Sequence, residues 1–124
     1  MDQARAATAY KTSNVESAPP LKLVQLMYEG ALRFLAQAEA ALEGSDLGRF
    51  QERALRAQAV VCELRLALDR EQAPELAGQL EALYLFAEGE IRAALLQESA
   101  APLGPVRKTL STLLEGWNQL VVEA

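Results

Sequence analysis

Few residues in this 124-residue chain are able to do chemistry, and their types already limit what it can be. Histidine is absent, which removes the commonest general base, the commonest metal ligand and the Glu-x-x-His motif of bundle enzymes. The single cysteine, Cys62, can form no internal disulfide and reads as a small buried hydrophobe flanking an apolar seam. A reactive thiol there would need an electropositive neighbourhood. The glutamates fall mostly off the apolar faces, so no carboxylate metal site and no cofactor is expected. Arg49, Arg53 and Arg56 share one helical face that could meet an acidic partner. A solvated face pairing them with nearby Glu52 and Glu63 is the commoner explanation. Binding is therefore expected rather than catalysis.

The formal net charge of −5 argues against nucleic acid, whose phosphates need a basic footprint, and against anionic lipid surfaces. The longest apolar runs fall far short of the roughly 20 residues that span a bilayer, so no membrane insertion is expected. Residues Met1 to Ala9 lack both a basic region and a long apolar stretch, hence no secretory signal is read and a cytoplasmic location is expected.

The elements that must position these residues are helical. The chain is rich in Ala, Leu and Glu, which lose little side-chain freedom in a helix, and β-branched residues are scattered. Residues 1–18 are small and polar, and are expected to form a flexible N-terminal arm ahead of a bundle over residues 19–124. Pro20 suits the first turn of a helix running to about Glu43, with Leu23, Val24, Met27, Ala31, Phe34, Leu35, Ala38 and Leu42 on its apolar face. Gly44 is available for a left-handed C-terminus, and Ser45 or Asp46 can cap the next helix. There, Leu47, Phe50, Ala54, Ala57, Val61, Leu64 and Leu68 alternate in threes and fours as an unbroken seam. Asp69 to Ala73 is a polar connector and Pro74 opens a third helix. Its expected inner face is Leu76, Leu80, Leu83, Ala87, Ile91 and Ala94, widened by Tyr84 and Leu95. Gly89 should weaken that helix by about 1 kcal/mol relative to alanine unless close packing requires it. After a break at Ser99 to Gly104, a fourth helix shows Val106, Leu110, Leu113, Trp117 and Leu120. Short connectors between such helices predict an all-α, up-down, antiparallel four-helix bundle.

The run from Tyr10 through Pro20 to Leu26-Met27-Tyr28-Glu29-Gly30 resembles the flagellin export chaperones of the FliS family, which carry an arm tyrosine, a proline and an apolar–Leu–Tyr–acidic–Gly helix start. Ala57 to Leu64 is similar to that family's second helix, Leu80 to Tyr84 to the start of its third, and Trp117 to the tryptophan of its last. Two positions depart from the pattern: Pro19 and Lys22 stand where a capping Ser or Thr and an acidic residue are usual. That loosens the helix start, although Ser17 can cap from further upstream.

The resemblance implies a cytoplasmic chaperone that binds the C-terminal segment of flagellin, prevents its polymerisation and assists type III export, with the export gate as a further partner. Under that reading the client-binding residues are Tyr10 and Val15 in the arm, Leu23, Met27 and Tyr28 in the first helix, and Ala57, Val61 and Leu64 in the second. Tyr10 plugs a groove or is simply a surface tyrosine. Tyr28, off the main stripe, suits a groove wall, whereas Met27 and Trp117 suit core packing better. A bundle adaptor or secretion chaperone with another client is the alternative, since one fold hosts many functions. A small-molecule bundle is disfavoured by the missing histidine. Monomer and homodimer both stay open.

Overall fold

A computed structural model describes residues 20–123, with side chains from 21 to 120. Four helices follow in order: α1 (Pro20–Glu43), α2 (Leu47–Leu66), α3 (Pro74–Gln97) and α4 (Leu103–Glu123). Among the described residues there is no strand. Each helix packs on its sequence neighbour and α4 closes the ring against α1, which gives the expected antiparallel bundle. The proposed arm, with Tyr10 and Val15, lies outside the described residues.

The connectors show why the chain reverses so sharply. Ser45, with φ of 61°, takes the left-handed position that the sequence reading gave to Gly44. The Asp46 N–H then reaches back to the Ala41 carbonyl at 2.8 Å, satisfying a carbonyl that the helix end would otherwise orphan. Asp46 also begins the next helix, its carboxylate accepting from the Arg49 N–H at 3.0 Å. Asp46→Ala should cost about 1 kcal/mol in chemical denaturation, the usual value of an N-cap, and a cost near zero would show the cap to be idle. Past α2, Leu68 continues into the core beyond the helix end, and the buried Asp69 accepts from the Glu71 and Gln72 N–H groups. The segment read as a plain polar connector is thus an organised turn. Pro74 occupies the first turn of α3, as its missing donor allows.

The core alternates small and large side chains. Ala31, Ala38, Ala54, Ala57, Ala87 and Ala94 are fully buried and let the helices approach, while Tyr28, Tyr84, Phe50, Leu35 and Ile91 fill the space between. Two expected faces need correction. On α3, Leu76 and Leu83 are exposed, and Ala77 and Tyr84 point inward in their place. This helix is apolar around most of its circumference, so periodicity alone does not select its inner side. At the bundle's ends Leu47 and Leu120 are also exposed, and Trp117 and Leu113 are only half-buried.

Candidate functional site

Two arrangements outside simple packing emerge, one inside the bundle and one on its surface. Inside, Tyr28 of α1 and Tyr84 of α3 meet across the bundle, their hydroxyl oxygens 2.6 Å apart and their rings edge-on. Trp117 of α4 leans on the other side of Tyr28, with ring centroids 6.3 Å apart. Burial raises the ionisation of both tyrosines above the usual phenol range, outweighing the lowering that Tyr28 receives from its hydrogen bond to Tyr84. Each hydroxyl satisfies the other, so the pair is a closed polar contact within an apolar core.

Between α2 and α3, Arg65 holds Glu88 through two bonds, Nε to Oε2 at 2.6 Å and Nη2 to Oε1 at 3.3 Å. Gln58 donates to the Glu88 carbonyl at 3.2 Å. Further along, Arg70 pairs with Glu81 and holds its carboxyl below the ordinary carboxylate range. The Glu88 side chain is 10 % exposed and that of Glu81 33 %. Arg65→Ala therefore strands a buried carboxylate, whereas Arg70→Ala leaves its partner in water. The first should lower Tm clearly more than the second; equal melting temperatures would contradict a buried Glu88. Arg53 and Arg56 both reach Glu52, at 3.1 and 3.7 Å, and Arg53 lies over the Phe34 ring. That supports the solvated-face account of the arginines, without Glu63 among their ion pairs.

The candidate client-binding residues from the sequence divide into two groups. Tyr10 and Val15 lie outside the described residues. Tyr28, Ala57 and Val61 are fully buried, Leu23 and Leu64 nearly so, and Met27 is half-buried against the core. In this conformation they touch the bundle's own helices, and Tyr28 fills the bundle's centre rather than lining an open groove. Its position on α1 sits between two seam positions, but α1 is buried over a stripe wide enough to include it.

The exposed apolar side chains are elsewhere. They are Leu47, Leu55 and Leu66 on α2, Leu76, Leu83, Leu85, Phe86 and Leu96 on α3, and Leu26 and Leu120 at one end. Half of them belong to α3, which shows apolar side chains on both flanks of its buried stripe. The run Leu83-Tyr84-Leu85-Phe86 carried this signal in the sequence, because four consecutive large apolar residues cannot all face one core. No cluster of three or more His, Cys, Asp or Glu able to hold a metal occurs among the described residues, and no described helix is long and apolar enough to cross a membrane.

Comparison with known proteins agrees with this architecture. The family model described as "Flagellar protein FliS" matches residues 2–124. The chain is 28 % identical over 114 residues to the flagellar secretion chaperone FliS of Bacillus subtilis, covering 92 % of this chain and 84 % of that one. It is 30 % identical over 115 residues to FliS of Campylobacter jejuni, covering 93 % and 90 % of the two chains. With FliSB of Pseudomonas aeruginosa it shares 32 % over 106 residues, or 86 % and 84 %. A crystal structure of a bacterial flagellar chaperone superposes with a TM-score of 0.80 at 18 % identity, over 98 % of each chain, and so shares the fold. The chain belongs to the FliS family of flagellar secretion chaperones.

Proposed function

We propose that this chain binds the C-terminal segment of flagellin in the cytoplasm, keeps it from polymerising, and assists its delivery to the type III export apparatus. The observation that carries the reading is the set of exposed leucines and Phe86 flanking the buried stripe of α3, in a member of this chaperone family. An apolar-striped segment that would otherwise bury itself against other flagellin copies gains an alternative place to fold as extra helices. Ordering it costs several kcal/mol, so the complex must use a broad surface and remains releasable. Leu23, Met27, Tyr28, Ala57, Val61 and Leu64 then contribute by shaping the surface from within. Tyr10 and Val15 enter as apolar side chains that compete with the client for it, and the export gate as a later acceptor.

Calorimetric titration of the full chain with a synthetic flagellin C-terminal peptide tests this. Binding with a dissociation constant of about 10 µM or tighter is expected. A flat titration at roughly 100 µM peptide would remove the reading. Deleting the residues before Val15 should raise the affinity if they compete with the client.

A further inference from the structure

On the seam between α1 and α2, two buried polar atoms lack a hydrogen-bond partner: Oε1 of Gln37 and Nε of Arg53. Glu52 comes within 3.1 Å of that nitrogen but out of line with its N–H, so the contact is an ion pair without a hydrogen bond. The Arg53 guanidinium lies over the Phe34 ring, 6.0 Å from its centre, which sets these two residues level in the antiparallel pair. Gln37 stands one turn beyond Phe34 on the same flank of α1. The Arg53 side chain leans towards the start of its own helix, and so towards Gln37. A buried acceptor and a buried donor are thus left side by side, each at a cost that the fold does not recover.

Three more guanidiniums share the strip. Arg49 and Arg56 stand four and three residues from Arg53, on its face of α2. Arg33 folds back along α1, its Nη2 3.7 Å from the point where a Cβ on the buried Gly30 would stand. From Arg49 to Arg56 the strip is about 10 Å long. Among the described residues, Glu52 alone gives these arginines an ion pair; it reaches Arg53 and Arg56, while Arg33 and Arg49 are exposed without one. Four guanidiniums are therefore gathered against one carboxylate, on a chain whose net charge is −5. Pairing with Glu52 holds two of them in place and leaves the excess unanswered.

The unmet atoms say what answers it. A carboxylate accepts from Arg53, and a peptide N–H donates to Gln37, so an acidic stretch of polypeptide supplies both. A phosphate backbone supplies acceptors alone, and the net charge opposes it, as it opposes an anionic membrane. A second copy of the same strip, related by a two-fold axis, would set arginine against arginine. An extended segment advances about 3.3 Å per residue, so about three residues cover the strip, and the backbone N–H groups that a helix would use internally stay available.

We propose that Arg33, Arg49, Arg53 and Arg56, with Gln37 at their centre, form a docking strip for a short, extended acidic segment of a partner protein. One carboxylate of the segment bonds Arg53, and a neighbouring peptide N–H bonds Gln37. The strip lies on the far side of the bundle from the exposed apolar flanks of α3, so its use is independent of the flagellin reading.

Fluorescence anisotropy of a labelled decapeptide with four central glutamates, titrated with the full chain at about 50 mM salt, tests this. A dissociation constant of about 100 µM or tighter is expected, weakening several-fold at about 300 mM salt. Arg33→Glu with Arg49→Glu reverses two exposed charges that no ion pair holds, and the second favours the helix dipole. Tm should hold while affinity falls by about tenfold or more. Gln37→Leu removes the stranded oxygen, so Tm should hold or rise while affinity falls about threefold or more. Arg107→Glu, on α4, should stay within roughly threefold. No binding at about 1 mM, or a double variant or Gln37→Leu that binds like the wild type, would overturn the strip. Single-stranded DNA of equal charge binding as tightly would show a general polyanion site and overturn the peptide as occupant. The flagellin C-terminal peptide should bind the double variant within roughly threefold of the wild type; its loss there would overturn the independence of the two surfaces while leaving the chaperone reading intact.

Discussion

Replacing Tyr28 by alanine is expected to remove about 4 kcal/mol of stability, since deleting a buried aromatic ring costs 3–5 kcal/mol through lost transfer energy and a residual cavity. The ring is fully buried between Tyr84 and Trp117, so no neighbour at the surface can collapse into the space. Set against a total of about 5–15 kcal/mol for a domain, the change approaches unfolding. Tyr28→Phe isolates the hydroxyl: it leaves the Tyr84 hydroxyl buried without its partner and should cost about 1–2 kcal/mol. Replacing both tyrosines by phenylalanine should cost less than the two single changes added together, because no polar group is then stranded. Urea denaturation measures all three. A Tyr28→Ala variant as stable as the wild type, yet weak in client binding, would return Tyr28 to the groove wall that the sequence suggested.

Alkaline unfolding should be steep, and the same two hydroxyls should cause it. In the folded state burial holds both phenols above their ordinary value of 10.0. The folded chain therefore keeps protons that the unfolded chain releases, and stability is fully present below about pH 10 and is lost as pH rises beyond it. Each tyrosine contributes a slope of up to about 1.4 kcal/mol per pH unit over the range in which it is ionised unfolded but still protonated folded. Tyrosinate absorbance from this pair should appear together with the loss of helical circular dichroism. The double phenylalanine variant should show a flatter alkaline limb. Ionisation of both tyrosines near pH 10 with the helices intact would show that they are not buried.

The four helices were legible because α1, α2 and α4 each concentrate their large apolar residues on one side. The α2 seam from Phe50 to Leu64 was read residue for residue, since its other side is dominated by Arg, Glu and Gln. The inner face of α3 was not legible, for the reason that makes the helix interesting: its apolar residues surround it, and only tertiary contacts choose Tyr84 over Leu83. The turn at Ser45 escaped because Gly44 is the better left-handed residue, and the choice came from the reach of the Asp46 N–H to Ala41. The candidate client-binding residues fall largely on the buried seams for a related reason. Buried seams and lendable surfaces use the same side chains, and the first pattern to stand out is the one that folds the protein. Leu55, Leu66, Leu85 and Leu96 are off-seam leucines, and it is their misfit with the heptad that marks them.

Trp117, the chain's one tryptophan, touches Tyr28 and half faces solvent. The molecule thus carries an optical gauge without any label. Tyrosine excitation passes to a neighbouring indole over such a distance, and the indole's emission colour tracks its contact with water. If α4 swings away from α1 when a client arrives, the emission reddens and the transfer fades; if the client only settles on the outer surface of α2 and α3, the spectrum stays still. A single cuvette therefore distinguishes a bundle that opens around its cargo from one that remains shut beneath it.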